Sequence, residues 1–432
     1  MASGRKVAIT GMGLVTPLGY GVDPTWRAVL AGQIGVRLQP SGLEGALGRY
    51  VGRIEQVGLP ADLPSAFLPQ ARFLNRGGLF GLAAAIEAMR HAGDFQGIPP
   101  SRRSLYLATG DHTQIGYEFL YPATSRAAAA SPHPLRSETL NRLALERVNP
   151  FFLLESIHNN PFSFLTALFE LTGPGTSLAS QSPSGSLAVE LAYHSVAAGR
   201  TDLALAVGCG SWVNDVPLHE LAELGLLSRA RGGARSFRPF DKRRDGFLTG
   251  EGGAALVLEP VEQARRRGAP VLGVVEGSGN RMPLSTHLSA PGHVTLGAMT
   301  AALEEAGCPV ADLGLLLAHG SATRRGDRAE GDALVTLLGA SHAVPVCGLK
   351  PYTGHMGAAS DVAEIVLGVV AAAHRIAPGT PNFVASEPRH ASLQIAATPQ
   401  RCRTQRFLSA SYGLLGQTSA IMVSVGSGAG TE

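Results

Sequence analysis

Strand-like and helix-like runs alternate along this chain in two successive series, and that alternation limits the fold more than any other feature. In the first series KVAIT (6–10) reads as a strand closed by GMG, and DPTWRAVLAG (23–32) as a helix with Asp23 as its N-cap and a Gly stop. RGGLFGLAAAIEAMRHAG (76–93) is a helix, SLYLAT (104–109) a strand and FSFLTALFEL (162–171) a helix. SLAVELAYHSVAAG (186–199) is a helix that leads into the buried strand DLALAVGCG (202–210). Residues 110–150, with the Ala- and Pro-rich RAAAASPHPLRSE, read as an excursion over the surface. The second series runs PVLGVVEGSG (270–279), strand; HVTLGAMTAALEEAG (293–307), helix; LGLLLAHG (313–320), strand; RAEGDALVTLLG (328–339), helix; VPVCGLK (344–350), strand; and SDVAEIVLGVVAAAHR (360–375), helix. FLSASYG and AIMVSVG close the chain as strands. A linker near EPVEQARRRGAP (259–270) divides it into halves 1–260 and 261–432. Such alternation predicts mixed α/β layers, and the shared element order points to an internal duplication.

Composition narrows the function classes. Of 432 residues 45% are hydrophobic and 16% charged, so a large core can be buried. A net charge of +3 is too small to argue for a nucleic-acid partner. The four cysteines (209, 308, 347 and 402) form no CxxC pair, which argues against a zinc site and against a disulfide scaffold. No apolar run reaches the roughly 18 residues of a membrane span, and the N-terminal run is too short for a signal peptide. The expected compartment is the cytoplasm, with neither metal nor membrane involved.

Four stretches can carry chemistry. GPGTSLASQSPSGSLAVELA (173–192) places Ser182 at a strand–turn–helix junction, where helix N–H groups favour developing negative charge. AHGSATRRGD (318–327) places His319 at a strand end, followed by the hydroxyls of Ser321 and Thr323. GLKPYTGHMGAASD (348–361) holds Lys350 and His355 in one Gly-bounded loop before a helix, and SASYGLLGQTSA (409–420) is a Gly-containing loop between strands. Each has an ordinary reading as well: a helix N-cap for Ser182, a structural histidine, a solvated lysine, a tight turn.

Together, these stretches resemble one family, the elongating β-ketoacyl-acyl-carrier-protein synthases of fatty-acid and polyketide systems. VAITGMGLVTPLG (7–19) is similar to that family's N-terminal strand and turn, and VNPFFLLESIHNN (148–160) to the segment lining its dimer and acyl pocket. SFRPFDKRRDGFLTGEGGAALVLE (236–259) is similar almost throughout. HGSATRRGD resembles the first catalytic-His motif, the Lys350–His355 spacing the second, and Glu364 stands where the family has a supporting carboxylate. The resemblance covers residues 5–425. It implies the thiolase fold, two similar α/β halves in an αβαβα arrangement, as a homodimer or a heterodimer with a related ketosynthase. It also implies an acyl carrier protein as partner, with substrates on that protein's phosphopantetheine and no cofactor bound by the chain itself.

In the family a Cys at the helix start takes the acyl chain, and two His assist decarboxylation of a malonyl thioester. Ungapped counting puts Ser182 at the Cys position, with Gln181 as the alternative one residue away. Serine is not ionised by a helix dipole worth about 1 kcal/mol or less, so it needs a base, expected to be His319 or His355. The resemblance gives the oxyanion hole as the N–H groups of Ser182 and Leu414, the pantetheine contacts as Ser321 and Thr323, and an electrostatic role to Lys350. The family's Gly-Phe-Gly-Gly gate reads Gly413-Leu414-Leu415-Gly416, and its Gly-Ala-Ala-Gly after the second His is altered at Ala359, Ser360 and Asp361. Three activities stay open: a Ser-dependent ketosynthase-like acyltransferase, a non-condensing partner of the chain-length-factor kind, and a malonyl-thioester decarboxylase. Arg72, Arg76, Arg102 and Arg103 are expected to dock the carrier protein, and the strand before Ser182 to form the dimer seam.

Overall fold

The computed structural model describes residues 4–39, 49–56, 58–59, 63–110, 121–130, 136–148, 150, 159–179, 182–283, 292–339 and 344–426. Among the described residues ten strands make the continuous path of one sheet: β1 (Val7–Thr16), β2 (Arg103–Thr109), β3 (Thr176–Ala179), β4 (Leu203–Ser211), β5 (Glu251–Pro260), β6 (Gly273–Arg281), β7 (Leu315–Leu317), β8 (Val346–Cys347), β9 (Arg406–Tyr412) and β10 (Thr418–Ser424). Their order is β8-β7-β9-β10-β6-β1-β5-β4-β2-β3, and a two-residue strand, Gly19–Tyr20, pairs off β1. In the first half β3, β2 and β4 are parallel, while β5 and β1 run antiparallel to their neighbours. The second half repeats this: β8, β7 and β9 are parallel, β10 and β6 antiparallel. The halves are thus topological copies, joined where β1 pairs with β6 from Val7↔Val275 to Ile9↔Gly273.

Helices fill the spaces around the two half-sheets. Among those described are α1 (Val22–Leu30), α2 (Arg76–Ala92), α3 (Ser184–Ala197), α4 (Gly292–Ala306), α5 (Arg324–Leu338) and α6 (Ala358–His374). α3 and α6 pack on each other and on strands of both halves, whereas α2 covers β1, β5 and β4 and α4 covers β6 and β10. The result is the thiolase fold, α/β/α/β/α, with α3 and α6 as the middle layer. α6 is apolar nearly all round, as a helix enclosed by two sheets must be. Of its exceptions, Ser360, Asp361 and Glu364 are buried in its first two turns, and His374 ends it at the surface. α3 and α6 meet closely at Gly185, where a Cβ would lie 2.1 Å from the Ala358 carbonyl oxygen.

Three local expectations need correction. β1 does not close at GMG but continues to Thr16. Gly11 and Gly13 sit there because α2 crosses so near that added Cβ atoms would lie 2.0 and 1.9 Å from the Ala88 and Ala84 carbonyl oxygens. α1 is capped by Gly21, not Asp23, which falls inside the first turn. The stretch 110–150 holds two helices, Tyr121–Ala130 and Ser137–Arg147, whose facing Ala and Leu side chains form a small cluster of their own. Residues 111–120, 131–135 and 149, and most of the 148–160 segment, lie outside the described residues, as does Gln181.

Candidate active site

Ser182, His319, Lys350 and Gly413 follow the carboxyl ends of β3, β7, β8 and β9, the end at which open α/β sheets place their ligands. The fold brings these segments to one pocket, lined by Ser182, Trp212, Phe247, His319, Ser321, Thr323, His355, Tyr412 and Leu414 among others. Its cavity is about 30 Å³.

The two imidazoles meet edge to face, ring centroids 5.3 Å apart. His355 stacks on Trp212 at 4.8 Å, and Trp212 is fixed by its indole N–H donating to the Gly110 carbonyl at 2.9 Å. The N–H of Gly357 donates to His355 Nδ1 at 3.1 Å, and the N–H of Tyr412 to His319 Nδ1 at 3.4 Å. Burial pushes both imidazoles well below the ordinary histidine range, and the Lys350 charge pushes them the same way. Both rings are therefore neutral, and with Nδ1 accepting, the proton of each sits on Nε2. The pair offers two uncharged N–H donors.

Lys350 holds the His319 backbone in place from outside the pocket lining. Its ammonium donates to the His319 carbonyl at 2.8 Å and to both Glu364 oxygens at 3.0 and 3.1 Å. Burial raises Glu364 to about 7 against the opposing pull of Lys350. Glu330 accepts the N–H groups of His319 and Gly320 at 2.7 and 2.9 Å, pinning the loop from below. Burial, with the nearby Asp327, raises Glu330 to about 8.

Ser182 departs from expectation. Its hydroxyl is neither a helix cap nor paired with an imidazole: α3 is capped by Pro183, and Ser182 Oγ donates to Asp361 Oδ1 at 2.7 Å, with a longer contact to the Gly357 carbonyl at 3.3 Å. The other Asp361 oxygen accepts the Gly185 N–H at 3.2 Å. Burial raises Asp361 to about 6. The histidines are excluded as acceptors because their Nδ1 lone pairs are already engaged and Nε2 bears the proton. Asp361 was visible in the sequence only as an altered position; the signal that marks it is a carboxylate in the first turn of a helix that is apolar apart from Ser360, Glu364 and its last residue, His374.

Ser321 and Thr323 line the same pocket. Their hydroxyls bond each other at 2.8 Å, and Ser321 also bonds the Tyr412 hydroxyl at 2.8 Å. Thr323 caps α5 through the Gly326 N–H. Leu414 is half-buried at the pocket wall, while Leu415 is 57% exposed. The arginines expected to dock a carrier protein mostly serve the fold. Arg103 is 1% exposed and donates to the carbonyls of Ile98, Phe169 and Gln96. Arg102 is bound to Asp202 and to the Gly199 and Arg200 carbonyls, and Arg76 to the buried Glu251 and the Ile54 carbonyl. Arg72 lies over the Phe73 ring. Sequence alone shows an arginine's charge but not the buried acceptors that consume it. Among the described residues no cluster of three His, Cys, Asp or Glu is placed to hold a metal, and no helix is long and apolar enough to cross a membrane.

Comparison with known proteins places these features. The family model for the beta-ketoacyl synthase N-terminal domain matches residues 4–264, and that for the C-terminal domain matches residues 272–384. A putative polyketide beta-ketoacyl synthase 1 from Streptomyces cyaneus is 29% identical over 97% of this chain and 98% of its own length. A 3-oxoacyl-[acyl-carrier-protein] synthase 2 from Vibrio cholerae is 28% identical over 88% of this chain and 89% of its own. Among solved structures, a ketosynthase complex with its type II polyketide acyl-carrier protein aligns with a TM-score of 0.83 at 22% identity. That alignment covers 98% of this chain and all of the matched one (100%), a likeness that concerns the fold.

Proposed function

The chain belongs to the beta-ketoacyl synthase family, and from that membership we propose that it acts on acyl and malonyl thioesters of an acyl carrier protein, with Ser182 as the acyl acceptor. The observation that carries the reading is the neutral imidazole pair beside Ser182 in one pocket. A scaffold has no use for two buried N–H donors with fixed tautomers. In the first half-reaction Ser182 Oγ attacks the thioester carbonyl, the C–O bond forms and the C–S bond breaks. The N–H groups of Ser182 and Leu414 are assigned to the oxyanion. In the second, the malonyl thioester carbonyl takes hydrogen bonds from Nε2–H of His319 and His355, carbon dioxide leaves, and the enolate carbon attacks the seryl ester. Neutral donors suit this step because the developing enolate charge stays on the substrate rather than capturing a proton. Ser321 and Thr323 are assigned to the pantetheine arm.

An ester is a poorer acyl donor to a carbanion than a thioester, so condensation is expected to be slower than in a Cys-containing relative. One observation favours a second reading, a chain-length-shaping partner of such a relative: the family's cysteine is replaced by Ser182 and its aromatic gate by Gly413-Leu414-Leu415-Gly416. The experiment that separates the two is incubation of the purified chain with acyl- and malonyl-carrier proteins. The enzymatic reading predicts carbon dioxide release and a 3-ketoacyl product, with release depending on His319 and His355. No release and no product, with activity appearing only alongside a Cys-containing partner, selects the second reading.

A further inference from the structure

We propose that Asp361 is the proton acceptor for Ser182, an inference that rests on Ser182 being the acyl acceptor. The geometry singles it out. Asp361 Oδ1 lies 2.7 Å from Ser182 Oγ, within the range required of a general base, and Gly185 N–H holds the other oxygen at 3.2 Å so the carboxylate cannot swing away. The imidazoles have no lone pair to offer, because backbone N–H groups occupy both Nδ1 atoms. Asp361 also sits one turn from Glu364 on α6, and among the described residues Lys350 is the cation that acts on both carboxylates. Two buried carboxylates against one ammonium leave one negative charge uncompensated. A proton arriving on Asp361 removes that charge, which makes it a stronger acceptor than a solvated aspartate.

The step balances. As Oγ bonds to the thioester carbon, its proton passes to Asp361; as the C–S bond breaks, the proton ends on the departing pantetheine sulfur. When the enolate later displaces the seryl oxygen, the proton that restores the hydroxyl enters from solvent through the same carboxylate, matching the one proton consumed by decarboxylative condensation.

The groups that face Asp361 set the pH behaviour expected. Glu364 lies on its own helix and Lys350 at the start of the short helix Lys350–Thr353; the Ser182 hydroxyl comes from the turn before α3, the Gly185 N–H from α3 itself and the Ser411 hydroxyl from β9. Asp361 itself is raised to about 6, chiefly by burial and against the pull of Lys350. Acylation needs the ionised carboxylate, so its rate falls as pH drops through about 6.

The test is quenched-flow acylation of the purified chain by hexanoyl-pantetheine, read by intact mass. Asp361→Asn keeps the side-chain shape and an acceptor oxygen; the acylation rate is expected to fall about 100-fold or more and to lose its pH dependence. Ser182→Cys added to Asp361→Asn is expected to restore much of the rate, since a thiol ionises without that base. Asp361→Asn acylating within about threefold of wild type, or the double variant remaining as slow as Asp361→Asn, overturns the assignment and leaves the Ser182 reading standing. A wild type that forms no adduct overturns both. Should Asp361→Asn fail to fold, the wild-type profile decides: a rate that does not fall through about pH 6 refutes the base.

Discussion

Replacing Lys350 with Met tests the electrostatic account of the site. Lys350 is 1% exposed and Glu364 2% exposed, so neither charge has water to fall back on. Removing one partner of a buried pair costs about 3–5 kcal/mol, because the other is left buried and unpaired. Here the cost depends on pH. Glu364 is raised to about 7 even with Lys350 beside it, and loss of the ammonium moves it higher still. At pH 6 Glu364 in the variant takes up a proton and escapes the penalty; above about pH 8 it is forced to carry an unpaired charge, and the full cost appears. The assay is urea unfolding at both pH values, with midpoint and slope compared between wild type, Lys350→Met and Lys350→Met/Glu364→Gln. The double variant is expected to recover part of the loss, since the Glu364 charge is gone, while the bond to the His319 carbonyl and the attraction of Lys350 for the buried Asp361 stay missing. A Lys350→Met cost that is the same at both pH values, or a double variant as unstable as the sum of the singles, refutes the reasoning.

Other expectations follow from the same geometry. His319→Ala or His355→Ala should slow malonyl decarboxylation by about 2.7–4 kcal/mol, the loss typical of one oxyanion donor, measured as carbon dioxide release from malonyl-carrier protein. Ser182→Cys should raise 3-ketoacyl product formation above wild type, because the thioester restores a better acyl donor; an unchanged or lower rate removes the argument from leaving-group chemistry. Glu330 is raised from 4.5 to about 8, so the native chain holds a proton that the unfolded chain releases, and its contribution to stability is lost as pH rises across that window. Glu330→Gln should therefore gain on wild type by at most about 1.4 kcal/mol per pH unit between about pH 5 and 8, seen as diverging urea midpoints.

The fold was legible because its signals are local. Strand and helix periods, Gly stops and the recurrence of one element order give both halves, and the repeat of three parallel strands followed by two antiparallel ones makes the duplication explicit. His319, Lys350, His355 and Glu364 were legible for a related reason: each lies in a short motif next to a strand end or helix start. Asp361 was not. Its partner Ser182 is 179 residues away, and nothing in either neighbourhood announces the pairing until α3 and α6 are stacked through Gly185. The same blindness hid the acceptors of Arg76, Arg102 and Arg103, because Glu251, Asp202 and the Ile98 carbonyl lie on other elements or out of sight of any charge pattern; of the three, Arg103 is too buried to meet a partner. The run of GMG in β1 failed as a strand stop because its glycines answer to α2 above them, not to a turn.

The central claim is that Ser182 carries the acyl group, and intact-mass measurement after incubation with an acyl-carrier protein thioester tests it most directly. The account predicts a gain of one acyl group in the wild type, located by peptide mapping on the fragment containing Ser182 and absent from Ser182→Ala. An unmodified wild type, or an adduct that survives Ser182→Ala, contradicts it.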